Sequence, residues 1–375
     1  MHEDRRMKIG ITGSEGLIGW HQRAYLKTIG GDHEIRLANR ETFGQPGLLA
    51  GFVEGLDAII HLAGMNRGVD AEIEATNANL ARDLVAACEQ TGTRPFVVYA
   101  NSTHEDRNTA YGRGKRAAAD TFRRWAAQCG AGYANLILPH VFGEFGKPFY
   151  NSVVSTFCYQ LARKETPQII TDGELELLHV QDVAAQCWKV ILENQRGDIC
   201  MNGVGMKVSE LLRRLTAMRD SYRSMVMPRL ESTLDMRLFN TLRSYLFPAH
   251  YPVALTLHTD ARGSLFEVVK SNSGGQVFMS TTHPGITRGN HFHTRKIERF
   301  LVASGEAEIR LRKLFSDEVI CFNVRGDAPS YVDMPTFYTH HITNTGRSEL
   351  VTLFWANEIF DPADPDTFPE PVNTP

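Results

Sequence analysis

The hydrophobic pattern changes its period once along this chain, near residue 250, and that change sets what the chain can fold into. Before it, short apolar runs alternate with longer segments of helical spacing. The runs are Lys8–Thr12, Glu34–Ala38, Ala58–His61, Pro95–Ala100 and Tyr133–Leu138, and the longer segments include Ala75–Glu89 and Ala110–Ala127. Strand alternating with helix predicts a parallel sheet with helices on both faces. Helical spacing continues over Ser209–Asp220 and Leu230–Leu246, with Ser209 and Glu210 as a helix start. Pro248–Pro252 (PAHYP) then reads as a linker. Beyond it the helical period disappears. Strand-like runs follow at Leu265–Val269, Gln276–Thr281, Phe300–Val302, Ala307–Leu311, Val319–Val324, Tyr331–Met334 and Leu350–Trp355. Turn pairs such as Ser304-Gly305 and Arg325-Gly326 separate them, which predicts a sandwich or barrel. The expected division is 1–247, a linker over 248–254, and 255–375, with a proline-rich tail after Phe360 that wraps the surface.

A length of 375 residues suits two such domains. Apolar residues at 42% and charged residues at 22% exclude a disordered chain, a collagen and a small disulfide scaffold. No run approaches the roughly eighteen apolar residues of a membrane helix. The charged start, Met1 to Arg6, leads into a strand with no signal-peptide core. A cytoplasmic protein without membrane insertion is expected. The net charge of −3 comes with no basic block, which argues against a nucleic-acid partner. The six cysteines are scattered without a CxxC pair, so reduced thiols packed as small hydrophobes are expected.

The first chemical signal is Gly13-Ser14-Glu15-Gly16-Leu17-Ile18-Gly19, directly after the strand Lys8–Thr12. Glycine is needed where backbone approaches a pyrophosphate and where a helix packs on its strand. Leu17 and Ile18 open that helix, whose first N–H groups face the anion. At the end of the second strand, an acid would bind a ribose 2′-hydroxyl. The chain has Arg40 there, which suits a 2′-phosphate and hence NADPH over NADH.

The second signal is Ser102 followed by Tyr111 and Lys115. Residues four apart share a helix face, and a nearby ammonium stabilises a phenolate. Tyr111 is then a general acid for a carbonyl oxygen that receives hydride, and Ser102 hydrogen-bonds the same oxygen. Together with His61–Gly64 and Pro139–Gly143, these segments resemble an extended short-chain dehydrogenase/reductase, a Rossmann-like fold acting on nucleotide sugars. The resemblance implies Ser102, Tyr111 and Lys115 as catalytic residues. It also implies Leu62, Ala63 and Gly64 beside the nicotinamide ribose, with Tyr111 and Lys115 as further cofactor contacts. The family's Arg-x-Pro-Asn reads Ile137-Leu138-Pro139-His140 here.

The third signal lies in the β-rich part. Gly285-x5-His291-x-His293-x4-Glu298-x6-Gly305 is followed by Pro335-x4-His340-x3-Asn344. Residues two apart on a strand point the same way, so His291 and His293 can face one metal, joined by Glu298 and His340. Three nitrogens and an oxygen suit zinc, nickel, iron or manganese. Five of the fourteen histidines fall within residues 283–341, which weighs against chance. The spacing resembles both motifs of the cupin family, a double-sheet jelly roll. Phe337 stands where the second motif has glycine, and a regular strand turns His341 away from the metal.

Over nearly all of Met7–Phe368 the chain resembles the CapF (WbjC-type) family of capsule and O-antigen enzymes. Supporting runs are Lys147-Pro148, Tyr150–Val153, Thr156–Tyr159, Pro284–His291 and Phe360-Asp361-Pro362. The resemblance implies a homodimer and two activities on a UDP-2-acetamido-2,6-dideoxy-hexos-4-ulose. The cupin epimerises C3, and the reductase then reduces C4 with NADPH to UDP-N-acetyl-6-deoxy-L-talosamine, a precursor of UDP-N-acetyl-L-fucosamine. The metal, zinc as first choice, is a Lewis acid or a structural tie. Tyr338, His341 and Lys270 are the candidate C3 acid/base groups. Two alternatives remain: a reductase whose cupin only dimerises or binds sugar, and a non-enzymatic nucleotide sensor.

Overall fold

The computed structural model of the protein describes residues 6–261 and 263–373. The segment before Arg6 and the terminal Pro375, both read above, lie outside the described residues. The chain divides into two compact units, Met1–Val153 with Thr171–Val208, and Val154–Ile170 with Ser209–Pro375. Packing thus divides the chain elsewhere than the change in element kind at 247. No helix of the described residues is long and apolar enough to cross a membrane.

The first unit is built on a six-stranded sheet. Its order is Glu34–Ala38, Lys8–Thr12, Ala58–His61, Phe96–Ser102, Tyr133–Leu138, Gly197–Cys200, and every pairing is parallel. Alternation along the strands feeds two separate cores. Ile59, Val97 and Tyr99 pack with Leu84, Phe122 and Trp125 on one face. Ile60, Val98 and Ala100 pack with Leu26, Val183 and Trp188 on the other. The inner strands are buried on both faces and read as near-continuous apolar runs, whereas the edge strand Glu34–Ala38 alternates. The order reverses between Lys8–Thr12 and Ala58–His61, and a ligand crevice opens beyond the carboxyl ends at such a switch point.

The second unit carries two five-stranded antiparallel sheets. One runs Val253–Ala254, Ser330–Met334, Glu298–Ser304, Leu350–Ala356, Gln276–Thr282. The other runs Val319–Arg325, Glu306–Lys313, Tyr338–Asn344, Thr287–Phe292, Phe368–Pro369. Phe300 of the first meets His340 of the second at 5.5 Å between ring centroids, so the sheets pack face to face as in a jelly roll.

Several sequence expectations change here. The run Leu265–Val269 is strand only at its start, Gly263–Leu265, and Val268 instead gives its carbonyl to Arg299 Nη1 at 3.2 Å. The tail does not merely wrap the surface: Phe368–Pro369 pairs with His291 and Phe292, and Asp366 and Val372 are buried. Pro248–Pro252 is packed rather than free, because the buried Tyr251 phenol bonds to Tyr222, which bonds to Asp333. Arg299 completes that cluster, 2.7 Å from Asp333. Helices Val208–Arg223 and Thr233–Leu246 join the β-rich part for the same reason, since Arg243 donates to the Met334 carbonyl at 2.9 Å.

Candidate functional site: a nucleotide crevice and a histidine cluster

At the switch point of the parallel sheet, Gly13 adopts φ +66° and packs on the exit of the third strand, where an added Cβ would lie 2.7 Å from the Ala63 nitrogen. Thr12 fastens the two strand ends, its Oγ1 accepting from the Leu62 and Ala63 N–H groups at 3.1 Å each. Gly19 lets helix Leu17–Thr28 lie on the turn, since a Cβ there would fall 2.2 Å from the Gly13 carbonyl oxygen. Gly16 caps this helix without any side-chain cap, which leaves its first N–H groups for an anion. Gly64 abuts Asn77 Oδ1, 2.7 Å from where its Cβ would stand. Arg40 is exposed just beyond the second strand, where Asn39 and Thr42 form a capping box. The cradle, the free helix terminus and the cation fit a dinucleotide with a 2′-phosphate.

Ser102 ends the fourth strand, and Tyr111 and Lys115 stand on helix Ala110–Cys129, started by the Thr109 side chain. That helix packs closely on its neighbour Asp70–Thr91, because Gly114 has the Glu74 carbonyl oxygen 3.0 Å from its would-be Cβ. Burial raises the Tyr111 phenol, its hydrogen bond with Ser102 lowers it, and neighbouring Tyr150 raises it again. The net position is above the ordinary value, not below it as the Tyr/Lys spacing suggested. The reason is visible in Lys115. Its ammonium turns to the Ala100 carbonyl at 2.5 Å and sits 4.4 Å from the Tyr99 ring centroid but 6.0 Å from that of Tyr111. Burial brings Lys115 down to about 7, against the raising effect of Glu105. His140, at the departure from the family's asparagine, is held near 4 by burial, 3.3 Å from Ser152 Oγ.

Between the two antiparallel sheets, His291, His293, Glu298 and His340 each offer one ligand atom, and these atoms lie within 4.8 Å of one another. Glu298 Oε2 is 3.1 Å from His293 Nε2, 3.6 Å from His340 Nε2 and 4.0 Å from His291 Nε2. Burial raises the Glu298 carboxyl, but the three histidines outweigh it and hold the acid well below its usual range. Burial takes His340 down to about 4. The ring nitrogens facing outward are fixed: His293 Nδ1 meets the Asp366 carbonyl at 2.5 Å and His340 Nδ1 the Tyr338 carbonyl at 3.1 Å. Each contact sets a tautomer that leaves Nε2 bare toward the centre. Both Nε2 atoms are buried and neither meets hydrogen-bond geometry, which a cation between them and Glu298 would remedy. The set fits one divalent metal.

Sequence reading placed His293 on a strand, but the strand Thr287–Phe292 ends one residue earlier, with a bulge between Gly289 and His291. Phe337 is fully buried at φ 63°, a left-handed position that glycine occupies without strain. His341 faces away from the cluster, its Nδ1 3.1 Å from Asn290 Oδ1. Lys270 is not brought to the cluster. It pairs with Glu267 at 2.6 Å and lines a cavity of about 220 Å³ with Arg299, on the opposite face of the strand from Glu298. Tyr338 packs against Phe247 at 4.8 Å, its phenol raised to about 12 by burial. Asp366 had no sequence signal at all, being one acid among several in a proline-rich tail.

Residues 9–200 match the NAD dependent epimerase/dehydratase family, and residues 258–368 match the polysaccharide biosynthesis C-terminal domain. A UDP-2-acetamido-2,6-beta-L-arabino-hexul-4-ose reductase of Pseudomonas aeruginosa is 32% identical over 367 residues, covering 96% of this chain and 98% of that one. The crystal structure of the capsular polysaccharide assembling protein CapF of Staphylococcus aureus is 33% identical. It matches with a TM-score of 0.64 across 98% of this chain and 100% of its own.

The chain is a CapF-family member of the NAD dependent epimerase/dehydratase family.

The CapF-family chain shares only its fold with more distant proteins. RMD of Pseudomonas aeruginosa, solved with NADPH, is 19% identical with a TM-score of 0.55, over 64% of this chain and 99% of that one. Both parts of the CapF-family architecture are present here in full: the parallel-sheet reductase fold and the antiparallel jelly roll.

Proposed function

We propose that this chain is a bifunctional nucleotide-sugar enzyme, a cytoplasmic homodimer. The antiparallel unit epimerises C3 of a UDP-2-acetamido-2,6-dideoxy-beta-L-arabino-hexos-4-ulose. The parallel-sheet unit then reduces C4 with NADPH, giving UDP-N-acetyl-6-deoxy-L-talosamine on the way to UDP-N-acetyl-L-fucosamine. The observation that carries the reading is the Ser102–Tyr111 pair with Lys115 one turn on, at the carboxyl end of the sheet that carries the Gly13–Gly19 turn. It stands in a chain 32% identical to a 4-ulose reductase over nearly its whole length.

The residues divide the labour as follows. Gly13, Gly16 and Gly19, with the N–H groups of Leu17 and Ile18, hold the cofactor pyrophosphate, and Arg40 its 2′-phosphate. Bound there, NADPH would supply the hydride that the carbonyl carbon receives. Leu62, Ala63 and Gly64 border its nicotinamide ribose. Tyr111 gives its phenolic proton to the C4 oxygen, and Ser102 Oγ holds that oxygen in line. Lys115 stands one turn on, its ammonium 6.0 Å from the centre of the Tyr111 ring, where a cation favours the phenolate left once the proton has gone. His291, His293, Glu298 and His340 would hold the metal, zinc first, which supplies either a structural tie or Lewis acidity beside a ketone. Four protein ligands close a tetrahedral ion. That observation favours a structural metal, and with it a second reading, in which the jelly roll only dimerises or binds sugar.

Proton NMR of a UDP-4-keto-6-deoxy-hexosamine with the protein in D₂O decides between them. Loss of the C3 proton signal before NADPH is added, then conversion of the ketone to an alcohol, is the expected result. Reduction without C3 exchange would leave the second reading. No change at either stage would overturn both. Light scattering should give twice the chain mass.

A further inference from the structure

Three residues beside the reductase centre are not used by the proton and hydride steps. Arg67 follows the Leu62–Gly64 segment, and Lys147 and Tyr150 lie on the loop after strand His140–Phe142. Arg67 Cζ is 5.6 Å and Lys147 Nζ 5.3 Å from the centre of the Tyr150 ring. Tyr150 in turn is near enough to Tyr111 to raise its phenol. Both cations are exposed, and among the described residues neither has an acidic partner. Arg23, Arg36, Arg113 and Arg123 of the same unit, by contrast, each meet a carboxylate within 3.0 Å. Two cations gathered on one ring without a counter-ion repel each other, and a bound anion reverses the sign of that energy.

The loop that presents Lys147 and Tyr150 is held firmly. Phe145 and Phe149 on either side of Lys147-Pro148 stand at φ 63° and 56°, a region non-glycine residues keep only where the surroundings impose it. Glu144 anchors one end. Its carbonyl meets His21 Nε2 at 2.9 Å and its buried carboxylate lies 3.3 Å from His179 Nε2. Ser152, 3.3 Å from His140 Nε2, anchors the other.

We propose that Arg67, Lys147 and Tyr150 form the subsite for the diphosphate of the nucleotide sugar. The inference rests on the nucleotide-sugar reading above. A diphosphate diester carries two negative charges, one for each cation. The Arg67 fork suits paired phosphate oxygens, Lys147 acts as a point charge, and the Tyr150 ring keeps both in place. Binding there places the sugar beside Tyr111, so affinity for the remote diphosphate is spent on orienting the C4 ketone. The cofactor also carries a pyrophosphate, but the glycine turn already receives it.

UDP is the probe, titrated calorimetrically into the full-length protein and into Arg67→Gln, Lys147→Gln, Tyr150→Phe and Tyr150→Leu. Each cation variant should weaken UDP about tenfold, roughly the worth of one charge-assisted hydrogen bond, and the double variant more. Tyr150→Phe should bind as wild type, Tyr150→Leu should bind less tightly, and NADPH affinity should stay within twofold throughout. Unchanged UDP affinity in the cation variants of a protein that binds UDP would overturn the subsite alone. So would a loss confined to NADPH, which would assign the cations to the cofactor. A wild-type protein that binds neither UDP nor a UDP-sugar would overturn the nucleotide-sugar reading, and the subsite with it.

Discussion

Asp366 is where a single substitution should reach furthest into the histidine cluster. Its carboxylate accepts from Thr294 N at 3.0 Å, Thr294 Oγ1 at 2.6 Å, Arg295 N at 2.9 Å and Lys296 N at 2.7 Å. These donors form the loop between His293 and Glu298, and the Asp366 carbonyl sets the His293 ring. The side chain is 2% exposed, so water cannot take its place without rearrangement. An orphaned buried N–H costs about 1–3 kcal/mol. Three of them, two on half-buried residues, put Asp366→Ala at about 4 kcal/mol, a large share of an ordinary domain's stability of about 5–15 kcal/mol. Asp366 also stands at φ 43°, which alanine tolerates less well than aspartate or asparagine. Asp366→Asn separates the two effects: it keeps the backbone preference and one acceptor oxygen, and should cost about 2 kcal/mol. Metal affinity should fall about 10- to 100-fold in both variants, because a displaced outer partner misdirects the ligand it orients. Competition with a chromophoric chelator gives the affinity. Urea unfolding, followed by metal release, gives the stability of the unit that holds the cluster. Asp366→Ala within about 0.5 kcal/mol of wild type, or Asp366→Asn with unchanged metal affinity, would refute the reasoning.

Gly19→Ala would put a Cβ 2.2 Å from the Gly13 carbonyl oxygen, so the turn must shift. NADPH affinity, measured by fluorescence, should fall more than tenfold, and an unchanged value would disprove the cradle. Tyr111→Phe should abolish NADPH oxidation while C3 exchange in D₂O persists; retained oxidation would remove Tyr111 from the proton step. Lys115 titrates near 7 in the folded protein and near 10.4 unfolded, so the unfolded state binds more protons between about pH 7 and 10. Stability therefore rises with pH through that window and is least below it, where the buried amine must carry charge. Lys115→Met should gain on the order of 4.5 kcal/mol at pH 6.5 in urea titrations without cofactor, and the gain should vanish by pH 10. A gain independent of pH would count against it. Stripping the protein with a strong chelator should lower its melting temperature, and added zinc or cobalt should restore it. A melt indifferent to both would show the cluster holds no metal.

Local pattern made much of this protein legible before any coordinates. The strand, glycine turn and helix over residues 8–28 follow from chain geometry that acts within a few residues, and so does the four-residue step from Tyr111 to Lys115. Apolar runs named five of the six parallel strands; in the four inner ones burial on both faces leaves little polar alternation to blur them, while the edge strand Glu34–Ala38 alternates. The same logic missed Thr287–Phe292, whose first four residues are exposed, and Tyr338–Asn344, where buried histidines, threonine and asparagine interrupt the apolar run. Those strands were read only through the spacing of their ligands. The tail strand Phe368–Pro369 is too short to carry a period.

What the sequence determined by itself was therefore residue type at fixed local spacing: a dinucleotide turn, a tyrosine–lysine step, and four metal-ligating side chains. Environment was decided by tertiary structure alone. Burial, not the neighbouring lysine, sets the Tyr111 phenol, and a carbonyl from residue 366 sets the ring of residue 293. Arg67 and Lys147, eighty positions apart, meet on one tyrosine ring. Desolvation, hydrogen-bond direction and charge proximity depend on distances through space, and no spacing along a chain encodes them.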